Sequence, residues 1–200
     1  MPALTSSDFL NLIDQSLHDP SAHDALTKAA MVQSSLVIHL SGMLHHAQHE
    51  GFIHALATSR QALAALHPIV GGHGVQSTHI TQHTLSAHFT SPMDALRAAL
   101  DCLSALSIRA QDDRLHALVP GMGLAHGPGH PLSDGSFLGL QPTKALILGK
   151  KVAKNGQILA TRAFRDALQQ TPVGIGIHDG NSDMESRAGF RFVEIRDYRD

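Results

Sequence analysis

The run "DFLNLIDQSL" sets Phe9, Leu12, Ile13 and Leu17 at helical spacing behind Ser7, which reads as an N-cap, and Asp19-Pro20 ends that helix. "SAHDALTKAAM" offers a second helix. "SSLVIHL" is short, apolar and rich in β-forming residues, so Leu36 to Leu40 predicts a central strand with a histidine near its end. Further on, Phe52, Leu56, Leu63 and Leu66 share one helical face, and His67-Pro68 is expected to stop that helix. "IVGGHG" reads as a loop.

"HGVQSTHITQHTLSAHF", His73 to Phe89, alternates like two strand arms around a polar tetrapeptide, the pattern of a hairpin. Ser91-Pro92 with Asp94 starts a helix: a serine cap, proline at the first position and a carboxylate at the third. Leu96, Leu100 and Leu103 carry its buried stripe. "LHALVPGMGLAHG" predicts a strand or strand pair, and "PGHPLSDGS" a Pro/Gly-rich excursion. "TKALILGKKVAK" is a helix, "GQILAT" a strand, "RAFRDALQQ" a short helix and "GFRFVEI" a closing strand. From residue 36 the order is β-α-β-β-α-β, then further α and β. The expected fold is therefore α+β, a ferredoxin-like core with extra C-terminal α/β elements.

Composition narrows the picture. The chain of 200 residues is 42% hydrophobic and 16% charged, which suits a globular protein. No apolar run approaches the roughly 20 residues of a membrane helix. The start "MPALTSSDFL" lacks a basic, then apolar, leader, so a cytoplasmic location is expected. Cys102 is the single cysteine, which excludes disulfide frameworks and cysteine zinc sites. Net charge is −2 without a basic run, and aromatic residues make up 4% with no Trp, so nucleic-acid binding is not expected. The unusual number is 16 histidines; protonating all of them would carry the formal charge to +14.

The hairpin and the helix after it, "HGVQSTHITQHTLSAHFTSPMDALRAALDCL", resemble the segment of class III nucleotidyl cyclases that reads roughly H-G-G-x-x-x-K-x-x-G-D-G-x-x-A-x-F, followed by D-A-x-x-A. His73, Gly74, Ala87, Phe89, Asp94, Ala95 and Ala98 match. "VIHLSGM" is similar to the family's first strand, "GLAHG" to G-I-x-x-G, "FLG" to the Y-G before the catalytic helix, and "AKNGQIL" to A-x-x-G-[GQ]-I. The resemblance runs in order over about residues 34–165. It implies a cyclase-homology domain over residues 33–200, with residues 1–32 as an N-terminal helical extension.

The same resemblance bears on chemistry. The family's two metal-binding aspartates fall at His39 and His83, and its purine-reading lysine at His79. That lysine's partner falls near Gln141, and the ribose-positioning asparagine and phosphate-stabilising arginine fall at Thr143 and Ile147. Mg²⁺ prefers carboxylate and water and has little affinity for neutral imidazole, so Mg-ATP or Mg-GTP is not an expected ligand. The hairpin's turn glycines are replaced by Gln82 and Thr84.

Two readings of the histidines stand open. In the family's fold, the first strand and the hairpin turn are neighbours, so His39 and His83 should face each other. With His79 or a loop histidine (His45, His46, His49) they would suit Zn²⁺, Cu²⁺ or Ni²⁺. Alternatively, a lost active site drifted in a histidine-rich chain. "HHAQH" at 45–49 reads as a solvated helix start, "HGPGH" at 126–130 as a solvated loop, and "VGIGIHDG" as a turn-rich approach to the last strand. Cys102 reads as a small core residue, and no acid/base pair is expected of the loop neighbours His178 and Asp179.

Three functions follow from this reading. The first is a catalytically inactive cyclase-like protein that dimerises or binds a partner protein in signalling. The second is a transition-metal or small-ligand binding module in the former cleft. The third is a residual adenylate or guanylate cyclase.

Overall fold

The computed structural model describes residues 4–109, 119–154, 156–169 and 174–197, so the expectations at residues 1–3, 115–118, Asn155, Gln170 and Val173 lie outside the described residues. Helix α1 (Ser6–Ser16) is capped by Thr5, whose hydroxyl accepts from the Asp8 N–H at 3.1 Å; Ser7, the expected cap, already lies inside the helix. Helix α2 (Pro20–Ala29) starts from Asp19, whose carboxylate accepts from the Ser21 N–H at 2.8 Å. The N-terminal end is tied down by a bridge between Leu4 and Leu132.

Strand β1 (Met31–Ser41) is longer than the five residues the sequence suggests. It leads into α3 (Met43–Glu50) and α4 (Phe52–Gly71). Helix α4 does not stop at His67-Pro68. Its last turn continues through Pro68 because Val70 is wholly buried and the Gly72 N–H closes onto the Pro68 and Ile69 carbonyls, both at 3.1 Å. The expected stripe is right at Leu63 and Leu66, which are buried, and wrong at Phe52, which is exposed.

Strands β2 (Val75–Ile80) and β3 (Thr84–Phe89) form the expected hairpin, with the Thr81 N–H on the Thr84 carbonyl at 2.9 Å. Helix α5 (Pro92–Arg109) begins where Ser91 accepts from the Asp94 N–H at 3.3 Å. "HGPGH" is not a loop but part of β4 (Val119–Pro131), a single strand of 13 residues. The chain then passes through β5 (Phe137–Leu138), α6 (Leu140–Ile147), a π-helical turn (Leu148–Val152), β6 (Ile158–Thr161) and α7 (Arg162–Ala167). It closes with β7 (Ile175–Asp179), α8 (Ser182–Ala188) and β8 (Phe192–Asp197). "IGIHD", within the run expected as a turn-rich approach, is thus an edge strand paired with β8.

The sheet order is β2-β3-β1-β4-β6-β8-β7, with β5 paired to the end of β4. β2, β3, β1 and β4 are antiparallel neighbours, the arrangement of the ferredoxin-like core, while β6 joins β4 in parallel. Side chains alternate between the two faces. One face carries Leu36, Ile38 and Leu40 of β1 with Leu85, Ala87 and Phe89 of β3, all buried in the main core with residues of α4 and α5. The opposite face carries Ser35, Val37 and His39 of β1 beside His88, Ser86 and Thr84 of β3.

Helix α6 and the π-turn lie on that second face, where the chain has Gly121 and Gly123. A Cβ on Gly123 would run into the Ala145 carbonyl oxygen and stand 2.7 Å from the Gly149 nitrogen. Glycine here allows helix and strand backbones to touch.

Candidate functional site

The second face of the sheet gathers the histidines. His39, 8% exposed, sits opposite Thr84, whose hydroxyl is 3.1 Å from His39 Nδ1. The Leu40 N–H bonds to the His83 carbonyl at 2.9 Å, which holds the hairpin turn against the end of β1. The His39 and His83 rings consequently meet edge to face, with centroids 4.9 Å apart. Burial, then the neighbouring His83 and Lys150 charges, lower the His39 pKa to about 4. His39 is therefore neutral at pH 7. His83 Nδ1 is buried with no hydrogen-bond partner among the described residues.

His79 lies on β2 opposite Ser86, its Nδ1 3.3 Å from the Asp134 carbonyl oxygen. It does not join the other two in a ligand set. Among the described residues, no group of three or more His, Cys, Asp or Glu is placed to hold a metal ion. The His45 and His49 rings meet edge to face on α3 with centroids 4.5 Å apart, and His46 is buried with its ring 5.6 Å from that of His54. The "HHAQH" run is thus only partly solvated.

Of the residues at the remaining family positions, Gln141 and Ile147 are partly buried and Thr143 is exposed. Gln141 lies over Gly127, and its side-chain oxygen is buried without a partner. The Thr143 hydroxyl bonds to its own helix, donating to the Gly139 carbonyl at 2.8 Å. Ile147 packs against the apolar cluster of Leu148, Val152, Leu159 and Phe192. None of the three offers a charge to a phosphate. Cys102 is fully buried, and its thiol is pushed up to about 12 by burial and by Asp101. Asp179 is 3.5 Å from Arg162.

Sequence reasoning missed His88. It is 2% exposed, its Nδ1 lies 3.1 Å from the Ser35 hydroxyl, and its Nε2 is buried with no partner. Burial, with His79 nearby, lowers its pKa to about 4. The signal was present in the alternation Thr84-Ser86-His88, which puts His88 on the face that carries His39. His126 and His130, on β4 instead of a loop, are also lowered by burial; His126 Nδ1 is 2.9 Å from the Ser34 hydroxyl, and His130 packs on Phe9 at 4.9 Å. A cavity of about 220 Å³ opens between this face and the β5–α6 segment, lined by His79, Ser86 and His88 on one side and by Phe137, Pro142 and Leu146 on the other.

No protein-family model matches the sequence, and no curated protein matches it. Solved structures do. The adenylyl cyclase CyaB from P. aeruginosa superposes with a TM-score of 0.69 at 13% identity, over 85% of this chain and 96% of that one. The chain has the fold of a class III nucleotidyl cyclase catalytic domain. The guanylate cyclase domain of RhGC from Catenaria anguillulae, in complex with GTP, matches with a TM-score of 0.66 at 11% identity, over 84% of this chain and 97% of that one. A monomeric guanylyl cyclase domain of the RhoGC fusion protein from the aquatic fungus Blastocladiella emersonii gives 0.66 at 10% identity, over 84% and 96%. A dimeric form of that RhoGC domain is similar as well.

The cyclase fold implies divalent ions held by carboxylates, and the donor set present here does not fit them. The His39–His83 pair supplies imidazole nitrogen, with His39 engaged by Thr84, and no anionic oxygen. What the pair can do chemically is exchange hydrogen bonds or coordinate a softer cation through two nitrogens.

Proposed function

We propose that this chain is a catalytically inactive nucleotidyl cyclase-like domain that works by dimerisation or by holding a partner protein. The observation that carries the reading is the His39–His83 contact at the two positions where the resemblance puts metal-binding aspartates. Cyclisation needs an activated 3′-hydroxyl and charge neutralisation on the transferring phosphorus. A pair of imidazoles with Thr143 and Ile147 in place of asparagine and arginine provides neither. Exposed Leu44, Phe52 and Ile53 along α3 and α4, with Ile80 at the hairpin, support an interface role.

The test is a sensitive cyclic-nucleotide assay with ATP and GTP, each with Mg²⁺ and Mn²⁺, run beside light scattering. The expected result is no product above blank and a defined dimer at micromolar concentration. Product that disappears in His39→Ala would overturn the inactive reading. A strict monomer at high micromolar concentration would remove the self-assembly arm.

A further inference from the structure

Helix α3 runs between Gly42 and Gly51 and carries histidines at 45, 46 and 49. His46 marks its inner side: it is buried, with its ring against that of His54 on α4. His45 and His49 are left exposed on the outer side. They stand one turn apart, and residues at i and i+4 share a helix face. Among the described helices, no other holds two histidines at this spacing. The two rings meet edge to face, with centroids 4.5 Å apart.

We propose that His45 and His49 form a two-nitrogen binding site for Cu²⁺ or Ni²⁺, its remaining coordination positions open to solvent or a small exogenous ligand. Distance sets the angle. An ion about 2.0–2.1 Å from an imidazole nitrogen stands about 3.2 Å from the ring centroid. Two centroids 4.5 Å apart can both meet that distance, and the angle between them at the ion is then about 90°. Tetragonal Cu²⁺ and Ni²⁺ take neighbouring ligands at such an angle, whereas Zn²⁺ prefers the wider tetrahedral one. Both rings are exposed and the outer torsion of histidine is soft, so each can turn a nitrogen toward one ion without disturbing the core. His49 lies in the last turn of α3, at the negative end of the helix dipole, where a bound cation is favoured. The helix also holds the pair together before the ion arrives. The second imidazole therefore binds intramolecularly, and the pair outcompetes single surface histidines. The site shares no residue with the His39–His83 contact and does not depend on the proposed inactivity or assembly.

The experiment titrates the full chain with Cu²⁺–iminodiacetate, followed by electron paramagnetic resonance, with electron spin echo modulation counting the imidazoles on the ion. The expected first equivalent carries two imidazoles. His45→Ala and His49→Ala, both surface changes, should each weaken that equivalent at least about tenfold and reduce the count to one. The His39→Ala, His83→Ala chain should bind as the wild type does. A single imidazole on the first equivalent in the wild-type chain would overturn the site, whatever the variants do. Undiminished binding in either single variant would overturn it too, and loss confined to the His39→Ala, His83→Ala chain would move the ion to the former metal positions. Equilibrium dialysis against equal Ni²⁺ and Zn²⁺ should retain Ni²⁺ in preference; tighter retention of Zn²⁺ would overturn the right-angled geometry.

Discussion

Two buried histidines make this fold sensitive to mild acid, and the size of the effect can be worked out. His39 and His88 are 8% and 2% exposed, and each has a folded-state pKa of about 4 against 6.5 when unfolded. Below pH 6.5 the unfolded chain takes up protons at these sites that the folded chain refuses, so stability falls as pH falls and the loss is complete below about pH 4. Each site costs about 2 kcal/mol between pH 7 and pH 5, and the pair about 4 kcal/mol. For a domain of about 5–15 kcal/mol total stability, that is a large fraction.

Urea unfolding at pH 7 and pH 5 measures the loss directly. The general repulsion from a chain of 16 histidines enters the same measurement, so the informative number is a difference between proteins. His88→Phe has no proton to refuse, and its pH 7 to pH 5 loss should be about 2 kcal/mol smaller than that of the wild type. An identical loss in both proteins would show that His88 titrates normally, and the reasoning from burial would fail.

Three further outcomes are expected. Gly123→Ala should cost about 2–3 kcal/mol, read as a lower urea midpoint, because its Cβ meets backbone atoms of Ala145 and Gly149 that cannot rotate away. Cys102 should react with a thiol reagent at least about a hundredfold more slowly in the folded chain than in urea; immediate labelling in native buffer would contradict its burial. His39→Asp combined with His83→Asp should gain about 5–10 °C in Tm at a saturating excess of Mn²⁺, a gain the wild type lacks, and should still form no cyclic nucleotide because Thr143 and Ile147 remain.

The parts of the fold that sequence reasoning recovers are those whose local signals agree with their tertiary setting. The Ser91-Pro92-Asp94 start of α5 and the alternation along β3 are such cases. The misses share a different cause. "HGPGH" looks like a loop, yet Pro128 needs no ladder donor there, because β6 meets β4 only over Met122–Leu124 and leaves that edge free. β7 lacks a two-faced pattern because it pairs on one side with β8 and is only partly buried. His88 reads as a solvent-facing polar residue until β5 and α6 are known to pass over it, and nothing local to β3 carries that information. Of the histidines that cluster in the sequence, His39 and His83 meet ring to ring, whereas His79 faces the Asp134 carbonyl, a contact that no local pattern signals.

This division explains how the scaffold and the chemistry come apart. Of the residues that carry the resemblance within the hairpin and α5, Ala87, Phe89, Ala95 and Ala98 are fully buried, while His73, Gly74 and Asp94 are not. Gly123, in the segment similar to G-I-x-x-G, sets the contact of α6 with the sheet. These positions answer to packing, where one methyl group too many or too few is felt as kilocalories. The positions that depart, His39, His83, Thr143 and Ile147, would answer to charge placement on a substrate. Here His39 is neutral against Thr84, the exposed Thr143 bonds its own helix and Ile147 packs on an apolar cluster, while His83 Nδ1 stays buried without a partner among the described residues. Under the proposed inactive reading, the buried matching positions keep the scaffold in shape, and the exposed apolar residues of α3, α4 and the hairpin are where a partner would be sought.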